Sequence, residues 1–176
     1  MAATYRNIAS VLRTHGSKGE VVAAPLRGLP LLLRRGLKVC PVPPALDRAR
    51  FITIRDLNVQ PDGTARVSFA GIRDLGAAEG LVGCGLLVQE DDVELGPMDV
   101  PFTRLIGRTV ADERRGVLGE IAEVMETPAN DVWVVSGGAY GEVLLPVIDE
   151  VVREIPEKGP IEVRALPGLI DDEDGR

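Results

Sequence analysis

The chain has one histidine, His15, and it stands in a glycine loop that reads Thr14-His15-Gly16-Ser17-Lys18-Gly19-Glu20. An imidazole beside an ammonium and a carboxylate is an inventory for general acid–base chemistry. No second histidine completes a relay, and neither cysteine is close in sequence. The loop therefore reads as a hairpin tip and not as a catalytic centre. Its two glycines also suggest a phosphate cradle. It is not a Walker loop, because Lys18 precedes a glycine and no Ser or Thr follows it. Its backbone amides could still contact an RNA phosphate.

Cations gather around this loop and after it. Arg13 and Lys18 flank the glycines, and Arg27, Arg34, Arg35 and Lys38 follow within a short span. Such accumulation suits phosphate binding, although on numbers alone a solvated face is the slightly favoured reading. The two cysteines, Cys40 and Cys84, each sit in an apolar run and are expected as buried free thiols. Metal binding needs clustered ligands at matched spacing. The only dense candidate, Asp171-Asp172-Glu173-Asp174, reads as part of a solvated, disordered acidic tail over residues 171–176. Neither a metal nor a cofactor is expected.

The elements that must position these residues are short strands. The chain is 45% hydrophobic, and glycine and proline are frequent, at 20 and 13 residues. Many short Val/Ile/Leu runs between turn residues indicate a turn-rich β protein. Strands are expected over residues 5–12, 20–26, 37–42, 50–59, 65–69 and 86–89, then over 105–112, 117–126, 131–136, 142–146 and 161–166. Gln60-Pro61-Asp62-Gly63 is a hairpin turn. Asp74 caps a helix over residues 74–82. A second short helix is expected at Leu29–Arg35, with Pro30 in its first turn, and a single helical turn at Val147–Val152. Two small antiparallel barrels fit this rhythm, because closure removes exposed strand edges. Aromatic residues make up only 3% of the chain, which leaves neither half an expected platform for stacking bases. No apolar stretch reaches the roughly 18 residues of a membrane span. The N-terminus has no apolar signal core, so a cytoplasmic protein is expected.

The boundary between the halves falls in the run from Gln89 to Arg104. Five of its first eleven residues are acidic, and Gly96, Pro97 and Pro101 break any ladder. The run reads as a linker. Residues 1–88 carry 12 Lys/Arg against 6 Asp/Glu, a net +6, and residues 89–176 carry 8 against 21, a net −13. A basic half suits phosphate, and an acidic half suits a basic protein.

Several motifs resemble those of the RimM ribosome maturation factors. His15-Gly16-Ser17-Lys18-Gly19-Glu20-Val21 is similar to the family's His-Gly-x-x-Gly-Glu-Val pattern. The segment from Ala70 to Gly83 resembles its Gly-Ile-x-Asp-x-x-x-Ala-Glu-x-Leu-x-Gly pattern. Leu105-Ile106-Gly107, Gly116-x-Leu118-Gly119, Ala129-Asn130-Asp131-Val132-Trp133 and Leu145-Pro146 look like landmarks of its second, PRC-type domain. The resemblance spans nearly the whole chain in order. One departure is the region before Leu105, where the family often carries an aromatic pair and this chain has only Phe102.

The resemblance implies an all-β chain: a six-stranded barrel over residues 1–88, a linker over 89–104 and a PRC-type barrel over 105–170. It implies a non-enzymatic assembly factor that binds small-subunit ribosomal protein S nineteen and the 30S precursor and aids folding of the 16S rRNA head. Arg13, His15, Lys18 and Arg73 are the expected ribosome or RNA contacts. Phe102, Arg104 and Trp133 are the expected partner-protein residues, with a core position the favoured alternative for Trp133. A monomer is expected, with no membrane association. The alternative is a flavin- or small-molecule-binding enzyme built on the first barrel.

Overall fold

The computed structural model describes residues 3–170, so the expected acidic tail lies outside the described residues. The chain divides into two compact units, Met1–Leu95 and Gly96–Arg176. Both are built almost wholly of strands, as the sequence pattern indicates.

In the first unit β1 (Tyr5–His15), β2 (Glu20–Pro25), β3 (Lys38–Val42), β4 (Ile52–Val59), β5 (Ala65–Phe69) and β6 (Gly85–Gln89) close a barrel in the order β1-β2-β5-β4-β3-β6. Every pairing in it is antiparallel. Alternation drives the closure. Val21 and Ala23, Ile52 and Ile54, Val67 and Phe69, and Leu86 and Val88 all point into one core. The hairpin turn after β4 forms as its residues demand, with the Asp62 carboxylate accepting from the Thr64 amide at 3.0 Å and hydroxyl at 2.6 Å. The helix α1 (Leu75–Glu79) is shorter than its pattern, and its Asp74 cap accepts from the Ala77 amide at 2.9 Å. Gly80 and Gly83 limit its length.

The Leu29–Arg35 segment is not a helix. It runs as irregular chain and drops Leu29 and Leu33 into the barrel core. Tertiary burial of two leucines outweighs helix propensity in so short a run.

In the second unit α2 (Phe102–Leu105), β7 (Thr109–Asp112), β8 (Gly116–Met125), β9 (Val132–Gly138), β10 (Gly141–Pro146) and β11 (Ile161–Val163) follow in order. The sheet order is β10-β9-β8-β7-β11. β11 joins β7 in parallel, Ile161 opposite Val110, where an all-antiparallel barrel was expected. Three antiparallel steps leave β10 running opposite to β7, so a chain that reverses after β10 and reaches the far edge of the sheet runs parallel to β7. Residues 105–108 leave the expected strand because Phe102 and Leu105 bury together from one helical turn. Val147–Val152 forms turns, with Val152 bridging Val163.

The 89–104 run is likewise more structured than free chain. Glu90–Asp92 forms one 3-10 turn. Val93 and Leu95 pack on the first core, and Met98 and Val100 on the second. These apolar residues are half-buried, while Asp91, Asp92 and Glu94 stay exposed.

Candidate nucleic-acid interface

The glycine loop closes the hairpin of β1 and β2, with His15 opposite Glu20, Thr14 opposite Val21 and Arg13 opposite Val22. Gly16 and Gly19 both hold positive φ, +63° and +84°. Gly19 is also buried against the segment before α1, and a Cβ on it would lie 2.7 Å from the Ile72 carbonyl oxygen. Only glycine satisfies both demands. Lys18 precedes this contact and Arg73 follows it, so two exposed cations flank one backbone crossing. The structure thus brings together two of the motifs that the sequence sets more than fifty residues apart.

Arg66 on β5 is a member of this site that sequence reasoning did not single out. It pairs with Val22 on β2, which in turn pairs with Arg13 on β1. Val22 is buried yet outside the core cluster, which places it on the outward face between two arginine stems. The Arg66 Nη1 lies 3.3 Å from His15 Nε2, and its Nε lies 3.7 Å from Glu20 Oε1. A guanidinium can only donate, so Nε2 accepts. His15 is thereby tied to Arg66 and Glu20 and not to a nucleophile. The signal that marks Arg66 is its place in β5, where Arg66 alternates with core-facing Ala65 and Val67.

Asp62 moderates the Arg13 end. Its carboxyl is held below the usual range, first by the Thr64 hydroxyl and amide and to a lesser degree by the Arg13 charge. The result is an outward face with Arg13, Arg66 and the half-buried His15, continued at the loop by Lys18 and Arg73. Such a face can hold phosphate oxygens by charge and by the loop amides. It offers no activated nucleophile and no metal cluster among the described residues. Cys40 and Cys84 are free and buried, as expected for structural thiols.

The expected partner-protein residues separate in the second unit. Trp133 is 1% exposed, paired with Val124 on β8 and Leu145 on β10, all three in the core. Its position on the inward face of β9 corrects its reading as a partner anchor. Phe102 is 9% exposed and packs in the same core. Arg104 alone of the three is exposed, on α2, with Ile106 exposed just after it.

Two family models match this chain. The RimM N-terminal domain covers residues 7–93, and the RimM PRC barrel domain covers residues 102–165. A ribosome maturation factor RimM from Shouchella clausii is 34% identical over 173 residues, 96% of this chain and 98% of that one. The chain belongs to the RimM family. A second relative of that name, from Desulforamulus reducens, is 32% identical over 97% of this chain and all of its own. A third, from Syntrophomonas wolfei, is 41% identical over 108 residues, 59% of this chain and 62% of that protein's length. The RimM N-terminal match contains the whole glycine loop, Arg66 and Arg73. The PRC match opens at Phe102, so α2 is the first element of the PRC domain in this chain.

Proposed function

We propose that this protein is a cytoplasmic, monomeric ribosome maturation factor that acts in 16S rRNA processing without catalysis. It binds the 30S precursor through the first unit and ribosomal protein S nineteen through the second. The observation that carries the reading is the cationic face built from Arg13, Arg66, Lys18 and Arg73 around His15, on a family scaffold whose relatives bear the name ribosome maturation factor. A factor of this kind needs only a higher affinity for the immature particle than for the finished one, and so shifts a population of conformations. The basic first unit suits rRNA. The acidic second unit suits a basic ribosomal protein, with exposed Arg104 and Ile106 at the contact. Co-sedimentation with 30S precursors and mature subunits at two salt concentrations tests the reading. Preferential, salt-sensitive association with precursors is the expected result. Equal association with both particles removes it. Calorimetry of residues 96–176 against purified S nineteen, and separately against an rRNA head fragment, tests the division of labour. Tight binding to the RNA alone reverses the roles of the units.

A further inference from the structure

The chain has only six aromatic residues, and Phe69, Phe102 and Trp133 are spent in cores. Two of the other three stand together. Tyr5, at the start of β1, and Phe51, just before β4, place their ring centroids 5.9 Å apart with planes at 35°. They are 40% and 36% exposed. The Arg50 guanidinium lies 5.5 Å from the Phe51 ring centre. This pair stands where composition led us to expect no stacking platform, and neither ring belongs to the face around His15.

Strand parity explains the meeting. On β6, Leu86 and Val88 face the core, so Leu87 and Gln89 face out, and they pair with Asn7 and Tyr5 on β1. On β3, Val39 faces the core, so Lys38 and Cys40 face out, and Cys40 pairs with Leu87. Along β4 and the residue before it, the outward set is Phe51, Thr53 and Arg55, with Thr53 opposite Lys38. Cys40 is buried although it lies outside the core cluster. Cys40 and Leu87 thus form a small apolar patch on the outward face of β3 and β6, the two strands that lie between β1 and β4 in the barrel order. At its margin the Asn7 amide oxygen is buried without a hydrogen-bond partner among the described residues.

Charge is arranged asymmetrically around this patch. Lys38, Arg50 and Arg55 stand on the Phe51 side, and none has an ion pair among the described residues. The acids Glu90, Asp91 and Asp92 follow β6 at the Tyr5 end, where Arg6 engages Glu90. A phosphate track is thus favoured past Phe51 and disfavoured past Tyr5.

We propose that the Tyr5–Phe51 pair is a stacking platform for unpaired RNA bases, with Lys38, Arg50 and Arg55 holding the adjoining phosphates. Partly exposed rings beside cations that no carboxylate neutralises are what single-stranded nucleic acid uses, since every base has a π-face and every linkage a charge. Duplex RNA hides its bases and lacks this access. The inference rests on the RNA-binding reading above and adds to it a class of substrate: single-stranded segments of immature rRNA.

The test uses the full chain and an adenosine hexamer that carries a fluorescent adenine analogue. Binding is expected to quench the analogue. The double substitution Tyr5→Leu and Phe51→Leu should weaken binding about tenfold and abolish the quench. Phe51→Tyr should bind like the unaltered chain, which separates loss of stacking from loss of fold. Lys38→Gln with Arg55→Gln should flatten the salt dependence. Unchanged affinity in the leucine variant, or binding without quenching, overturns the proposal. If the leucine variant loses affinity for ribosomal protein while its hexamer binding is unchanged, the face docks protein and the proposal falls. If the hexamer does not bind and the chain still sediments with 30S precursors, the platform is wrong and the ribosomal reading stands. If neither binds, both fall.

Discussion

The two units solve the same packing problem in different ways. The first closes its sheet into a barrel, so β1 pairs with both β2 and β6 and no strand is left with an open edge. The second keeps an order with two ends, β10 and β11, and sets its last strand parallel to β7 at the edge away from β10. The closed unit carries its cations outward in rows across neighbouring strands. The open one fastens its chain with a buried polar residue. Asp112 accepts from the amides of Arg114 at 3.1 Å, Arg115 at 2.9 Å and Ala165 at 2.8 Å, and lies 3.6 Å from the Arg115 guanidinium. A closed barrel holds its register through its own ladders. An open sheet needs side-chain ties between its last strand and the turn it lies beside.

The sharpest way to break this comparison is to hollow one core and watch the other. Trp133→Ala should cost the second unit about 3–5 kcal/mol. In urea monitored by circular dichroism, the unfolding should split into two transitions, with the first unit's unmoved. A single shared transition would show that the units do not unfold separately.

The converse variant is Gly19→Ala. It places a Cβ against the Ile72 carbonyl at a φ of +84°, and the expected cost to the first unit is about 2–3 kcal/mol. Trp133 fluorescence, which reports the second unit, should show an unshifted midpoint. The same variant should weaken association with 30S precursors, because Lys18 and Arg73 lose their common anchor.

Acid should act on the open unit through Asp112. Burial by itself would raise the Asp112 carboxyl, but the amides of Ala165, Arg114 and Arg115 and the Arg115 charge outweigh it and hold the group below its ordinary value of 3.8. The folded state therefore binds this proton less readily than the unfolded state. The contribution is complete above the ordinary carboxylate range and is lost as pH falls through the lowered folded value. Asp112→Asn should remove that acid-side loss and cost about 1.5–3 kcal/mol near neutral pH. An unaltered acid profile in that variant would assign the effect elsewhere.

The smallest effect is expected at His15. His15→Gln removes one contact to Arg66 and leaves the cations in place. Binding to 30S precursors should change by no more than about a factor of two. Complete loss of maturation activity with unchanged binding would reveal a chemical role for the imidazole.

Much of this was legible in the sequence because it is local. The strands alternate at period two, the Asp62 turn and the Asp74 cap depend on residues within three positions, and the glycine loop is contiguous. What escaped depends on partners far along the chain. Trp133 sits in a run that is apolar on both sides, so its direction is decided only by pairing with Val124 and Leu145. Arg66 joins His15 across two strand pairings, and Tyr5 meets Phe51 only because the barrel closes. The parallel partner of β7 lies some fifty residues downstream, with no periodic signal to announce it.

That last pairing has a consequence for synthesis. A chain emerges from the ribosome N-terminus first, and domains fold as their residues become available. Every strand of the first unit has been made by Gln89. The second must hold β7 with one side unpaired until Ile161–Val163 is released. During that interval β7 is the exposed edge of a nascent sheet. A nascent chain that has emerged through residue 146 but not residue 161 would carry a finished first barrel and a second sheet still lacking its final strand.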